Sequence, residues 1–151
     1  MALRRGFKDA HVMNDHMVNQ WNSVVTKRDI VWILGDITME KATDYWILDT
    51  LNGTKKVVLG NHDKPNHSVQ LLNYVNSVAG MVKFKGVKDC PVWLTHCPIH
   101  PNELEYRVKF NVHGHVHEQP IDDPRYINVS AEMVDYTPQI LTELIQERNG
   151  R

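Results

Sequence analysis

The stretch KKVVLGNHD, residues 55–63, decides how this chain is read. Val57, Val58 and Leu59 form an unbroken apolar run, which marks a short strand buried on both faces, and the run stops at a glycine followed by three polar residues. The same device recurs in DIVWILGD (29–36), PVWLTH (91–96) and KFNVHGHVH (109–117). These apolar runs end on Asp36, on Asn61 with His62, on His96, and on His115 with His117. Strands aimed at one edge of an α/β sheet bring such residues together in a crevice at their C-terminal ends. Gly35, Gly60 and Gly114 immediately precede Asp36, Asn61 and His115, where tight turns call for backbone freedom.

Working outward, helical patterns alternate with these runs. Met13, Met17, Trp21, Val24 and Val25 recur at helical spacing behind Asp9, a natural N-cap, so residues 10–25 are expected to form an amphipathic helix with this face in the core. A second helix is expected over 40–52, with Tyr45, Ile47, Leu48 and Leu51 on one side and Gly53 as its stop. A third is expected over 68–76, with Val69, Leu72 and Val75 inward. Residues 79–85 and RYINVSAE (125–132) read as strands, and Pro138 opens a last helix. The fold class is therefore α/β (α+β), and the 151 residues, without repeat or linker, suit a single domain over 1–151.

Composition excludes several classes of function. Seventeen Lys and Arg against eighteen Asp and Glu leave a net charge of −1, so there is no strong nucleic-acid signal and no anionic membrane footprint. Cys90 and Cys97 form no C-x-x-C pair, and MALRRGFKD lacks the apolar centre of a signal peptide, so a reducing, cytoplasmic location is expected. The unusual feature is histidine: nine in all, five of them from His96 to His117. Mixed oxygen and imidazole donors suit Mn, Fe, Zn, Ni or Co better than a thiolate-selective ion. Each motif alone has a plainer explanation. GD is a common strand-to-turn junction, GNHD an Asx-type turn, HGHVH an exposed strand, and His96 a satisfied core histidine. It is the ordered set, each member following an apolar run, that calls for a metal centre.

In this order the motifs LGD (34–36), GNHD (60–63), THCP (95–98) and GHVH (114–117) resemble those of the calcineurin-like metallophosphoesterases, and MNDHMVNQWNSVV with INVSAEMVDYTP resembles the small phage and bacterial branch. The resemblance implies a β-sandwich flanked by helices and one or two divalent ions per chain. It implies that Asp36 bridges two metals, that Asn61, His96 and His115 complete the second, and that His117 binds the first. It further implies that His62 sits beside the scissile phosphate as the catalytic proton donor, with Asp63 orienting it. The implied activity is hydrolysis of phosphodiesters or phosphomonoesters by a metal-bound hydroxide. Tyr106, Arg107 and Lys64 are further candidates for substrate contact, although solvation at the surface is the plainer expectation for each.

The family's first motif, D-x-H, is spelled by Asp9, Ala10 and His11. MALRRGFK, however, carries only Leu3 and Phe7 as large apolar residues and cannot make the buried central strand that would present the pair. Asp9 is therefore expected to cap the first helix and His11 to lie in its first turn. The chain is expected to lack the D-x-H strand, whether through a misplaced start, truncation or loss, and to expose a sheet edge open to homo-oligomer formation. The first metal would then keep only Asp36 and His117. The competing function is a catalytically impaired metal-binding protein or interaction domain that retains this fold.

Overall fold

A computed structural model describes residues 1–38 and 42–150. It is a mixed α/β structure with two sheets. In the first, β1 (Ile30–Ile33), β2 (Thr54–Val58) and β3 (Ser77–Ala79) run parallel in the order β1-β2-β3. In the second, β4 (Val82–Phe84) pairs antiparallel with β5 (Val92–Thr95), which continues in parallel to β6 (Phe110–His113) and β7 (Tyr126–Asn128). Three α-helices are described: α1 (Ala10–Val24), α2 (Ser68–Leu71) and α3 (Leu141–Asn149). None is long and apolar enough to cross a membrane.

The strand KKVV is buried on both faces, as its composition requires. Successive side chains of a strand point to opposite sides. Accordingly Val58 enters a core with Val92, Leu94, Phe110, Val112 and Ile127 of the second sheet, while Val57 enters another with Tyr45, Leu48, Leu71 and Val75. Ile145 of α3 closes the first core. Trp32 and Leu34 reach the same core from β1 and the residue after it, so the sheets pack face to face through β1 and β2.

Several expectations need correction. DIVWILGD is only partly buried: Trp32 faces one core and Ile33 the other, but β1 lies at the edge of its sheet among the described residues, and Ile30 is 59% exposed. The expected helix over 40–52 is a 3-10 helix, Ala42–Thr50, with residues 39–41 outside the described residues. Tyr45, Leu48 and Leu51 are spaced by three, and a helix of three residues per turn stacks that spacing on one face. The helix over 68–76 shrinks to one turn, and its inward face is Leu71 with Val75, whereas Val69 and Leu72 lie in solvent. The strand over 79–85 becomes β3 and β4, which belong to different sheets and meet across Gly80 and Met81. The last helix starts at Leu141, three residues beyond Pro138.

Helix α1 begins where expected. Asp9 is its N-cap and accepts a hydrogen bond from the Val12 N–H at 2.9 Å; His11 lies exposed in the first turn. Its apolar face is only half-buried, and Val24 is exposed. Polar contacts do much of the docking instead. The Trp21 indole N–H donates to Asn52 O at 2.9 Å, and Asn22 bonds both Thr50 O and the Asn52 N–H at 2.9 Å.

Candidate metal centre

The C-terminal ends of β1, β2, β5 and β6 meet between the sheets. Gly35 has φ +84° and stands so close to the next loop that a Cβ would lie 2.5 Å from Gly60 N and 2.6 Å from the His96 ring. Gly60 returns the constraint, since its own Cβ would fall on the Asp36 backbone and carboxylate. Both positions need glycine. Gly114 does not: its surroundings would accept a Cβ at ordinary contact distance. There the strain moves to the functional residues themselves, because Asp36, His115 and His117 all adopt positive φ (53°, 68° and 52°). Non-glycine residues in that region are uncommon, and such strain concentrates at functional sites.

Asp63 fastens the loops. It is buried, with Oδ2 accepting from Asp36 N–H (2.7 Å) and Gly60 N–H (2.9 Å) and Oδ1 accepting from Ile37 N–H (3.0 Å). The His62 backbone N–H donates to Asp36 Oδ1 at 2.9 Å, and its half-buried side chain follows directly after Asn61.

Three expected ligands surround a fourth, His96. His96 Nε2 lies 2.9 Å from Asn61 Oδ1, 3.1 Å from His115 Nδ1 and 3.2 Å from Asp36 Oδ2. Its other ring nitrogen, Nδ1, is 2.7 Å from Leu34 O. A carbonyl only accepts, so the proton sits on Nδ1, and in the neutral ring Nε2 offers a lone pair toward two oxygen acceptors. Even a protonated Nε2 could place its hydrogen toward only one of its three neighbours. A cation among them satisfies all four atoms at once, and an imidazole anchored to a backbone carbonyl through its far nitrogen is the usual support for a metal ligand. The donor set, one carboxylate, one amide oxygen and two imidazoles, fits a borderline divalent ion.

The cluster also includes a residue that the motif reading missed. Cys97 Sγ lies with the His96 and His115 nitrogens, the three within 4.8 Å of one another. Desolvation and the Asp36 carboxylate push its thiol above its ordinary range, a trend that a bound cation would reverse. The signal was its place directly after His96. The 95–99 loop is held from below by Asn111, fully buried on β6, which donates to Thr95 Oγ1 at 2.8 Å and accepts from Ile99 N–H at 3.0 Å.

His117 is placed differently. Its described side-chain bond runs from Nδ1 to Glu132 Oε1 at 2.9 Å, and Arg5 Nε meets the same oxygen at 2.7 Å. Burial pushes the Glu132 carboxyl up, but hydrogen bonds from Arg5, its own backbone N–H and His117 outweigh it and hold the group below its ordinary value. Beside this trio opens a cleft of about 420 Å³, lined by Arg4, Arg5, His117, Glu132 and Tyr136 among others. The remaining histidines of the 96–117 cluster have other places. His100 accepts from Asn102 N–H at the start of a 3-10 turn, and His113 is fully buried with its pKa pushed down by burial. Tyr106 is 94% exposed, and Lys64 and Arg107 also lie at the surface.

No protein-family model matches the chain. An uncharacterized protein of Methanocaldococcus jannaschii is 29% identical over 157 residues, covering 94% of this chain and 78% of that protein. The Gene 66 protein of Mycobacterium phage D29 is 29% identical over 148 residues, covering 78% of this chain and 74% of its own length. Among solved structures, a protein of unknown function from Aquifex aeolicus superposes with TM-score 0.63 at 26% identity, over 83% of this chain and 79% of that one. An archaeal phosphodiesterase superposes with TM-score 0.54 at 19% identity, over 81% and 79% of the two chains. The last likeness is one of fold.

Proposed function

We propose that the protein is a metal-dependent phosphoesterase acting on phosphodiesters or phosphomonoesters. The observation that carries this reading is the crowding of Asp36 Oδ2, Asn61 Oδ1 and His115 Nδ1 around His96 Nε2, an arrangement that a divalent cation completes. The fold shared with an archaeal phosphodiesterase supports it, as do the four motifs in family order. In this reading Asp36, Asn61, His96 and His115 hold one ion, and Asp36 and His117 contribute to a second. The ions, when bound, supply Lewis acidity and an activated water for attack on phosphorus. His62, next to Asn61, protonates the leaving oxygen, and the backbone bond from His62 to Asp36 ties the loop after β2 to the loop after β1. The cleft beside His117 sets Arg4 and Arg5 against Glu118 and Glu132, and its volume suits a small substrate.

Turnover of bis-p-nitrophenyl phosphate in added Mn²⁺, with the metal content of the protein measured in parallel, tests the proposal. The expected result is hydrolysis that falls by about 10²-fold or more in His62→Ala, the usual scale of a lost general acid. Turnover no faster than that variant, with one ion per chain, supports the second reading, a metal-binding protein without catalysis. That reading draws on one specific observation: Asp9, the aspartate of the first D-x-H, is committed to capping α1.

A further inference from the structure

Strand β7 ends at Asn128, and the chain then turns through Ser130 into a 3-10 stretch, Ala131–Val134, that carries Glu132. This corner grips His117 twice. Asn128 Nδ2 donates to the His117 carbonyl at 2.6 Å, and Asn128 Oδ1 accepts from Ser130 N–H at 2.9 Å, so the amide is fixed in its turn. Glu132 Oε1 takes the imidazole itself at 2.9 Å. His117 therefore sits in its left-handed backbone conformation with its main chain held from β7 and its ring from the 3-10 stretch that follows.

The Glu132 carboxylate is an uneconomical clamp if its task is only to join two parts of the fold. Arg5 and His117 share Oε1, while Oε2 is buried without a hydrogen-bond partner. A guanidinium bound for stability commonly engages both oxygens through its fork, and leaving a buried carboxylate oxygen unpaired is costly. What the arrangement does achieve is specific to the ring. An ionised carboxylate only accepts, so the His117 proton sits on Nδ1, against the preference of free imidazole in water for the Nε2–H form. Nε2 is left as a lone pair, on a side chain that is 41% exposed while Glu132 is 12% exposed. Arg5, from the N-terminal 3-10 turn Leu3–Arg5, holds Glu132 in place.

We propose that Glu132 is a positioning residue that holds His117 in the tautomer able to bind a divalent cation through Nε2, and that Arg5 fixes Glu132 in turn. This rests on the reading of His117 as a ligand in the proposed function. A carboxylate behind a ligating histidine is the common support for such a ligand, and its removal typically weakens metal binding about 10- to 100-fold.

The test uses the full chain labelled with ¹⁵N-histidine. Long-range ¹H–¹⁵N spectra of the metal-free protein are expected to show His117 protonated on Nδ1, and Glu132→Gln to shift it toward the Nε2–H form. Calorimetric titration with Mn²⁺ is expected to show two ions in the wild type, with the second weakened about 10- to 100-fold in Glu132→Gln and the first unchanged. Arg5→Met, which leaves the carboxylate in place, should weaken the second ion less. Two ions bound equally well by wild type, Glu132→Gln and Arg5→Met, with the tautomer unmoved, overturn the proposal and leave the ligand reading standing. A single ion untouched by His117→Ala overturns the ligand reading, and the proposal falls with it.

Discussion

Two histidine neighbourhoods a short distance apart in sequence have opposite electrostatic characters. Around His96, Asp36 Oδ2, Asn61 Oδ1 and His115 Nδ1 crowd one imidazole nitrogen at 2.9–3.2 Å, and no side-chain cation is among the described bonds of this cluster. Around His117, the carboxylate of Glu132 is already answered by Arg5. The first neighbourhood is a cage of acceptors in need of a positive charge; in the second the carboxylate is answered by Arg5, and the ring's other nitrogen is left open. Ligand-type residues following strands of the same sheet thus do not make equivalent sites. What separates them is where the carboxylate stands: at His96 it crowds the open ring nitrogen, and at His117 it lies behind the ring, held by Arg5.

The most severe way to break this contrast is to remove the shared carboxylate. Asp36→Ala should abolish binding of the tightly held ion and reduce any phosphoesterase turnover by about 10³-fold, the scale of losing a key electrostatic group. Asp36→Asn sharpens the point. It should lose metal in the same titration yet leave the metal-free protein no less stable to heat, because a neutral amide relieves the crowding of acceptors at His96. A melting temperature several degrees lower for metal-free Asp36→Asn would show that the carboxylate is a structural partner of His96.

Asp63 tests whether the cage is held open by its loops. Asp63→Ala leaves three backbone N–H groups, those of Asp36, Ile37 and Gly60, without their acceptor, which should cost about 3 kcal/mol in urea unfolding. Next in size, Gly35→Ala should cost about 2 kcal/mol for its positive φ and its collision with Gly60, whereas Gly114→Ala should stay within about 0.5 kcal/mol. Equal losses at the two glycines would contradict the geometry of the loops. The smallest effect belongs to the opening motif. Asp9→Ala should lower stability by about 1 kcal/mol through its lost helix cap and leave metal content unchanged, and the loss of one ion would instead make Asp9 a ligand.

The second neighbourhood carries a pH signature. The folded carboxyl of Glu132 is depressed, so its contribution to stability is fully present above the ordinary glutamate value of about 4.3 and is lost as pH falls through the lower folded value. The stability difference between wild type and Glu132→Gln should therefore be constant near neutrality and close in acid, as chemical denaturation across pH can show.

Much of this was legible in the chain. The buried strand KKVV, the strand ends that deliver Asp36, Asn61, His96 and His115, and the cap at Asp9 all follow from short-range patterns: apolar runs, period and capping chemistry. What was not legible depends on partners far away. Arg5 and Glu132 are separated by 127 residues, and neither stands in a periodic pattern that would announce their bond. The change of sheet between β3 and β4 is likewise set by what each strand packs against, since the two short apolar runs differ little from one continuous strand. The inward face of α2 eluded periodicity because one turn is too short to define a stripe. Cys97 was adjacent to a recognised ligand but lay between motif positions, so only the fold places its sulfur beside His96 and His115.

The central claim, that the chain builds a cation site around His96, is tested most directly by anomalous diffraction from crystals soaked in Mn²⁺. The account predicts a manganese peak bounded by His96 Nε2, His115 Nδ1, Asn61 Oδ1 and Asp36 Oδ2. An empty cage at saturating Mn²⁺, with the four side chains unmoved, would contradict it.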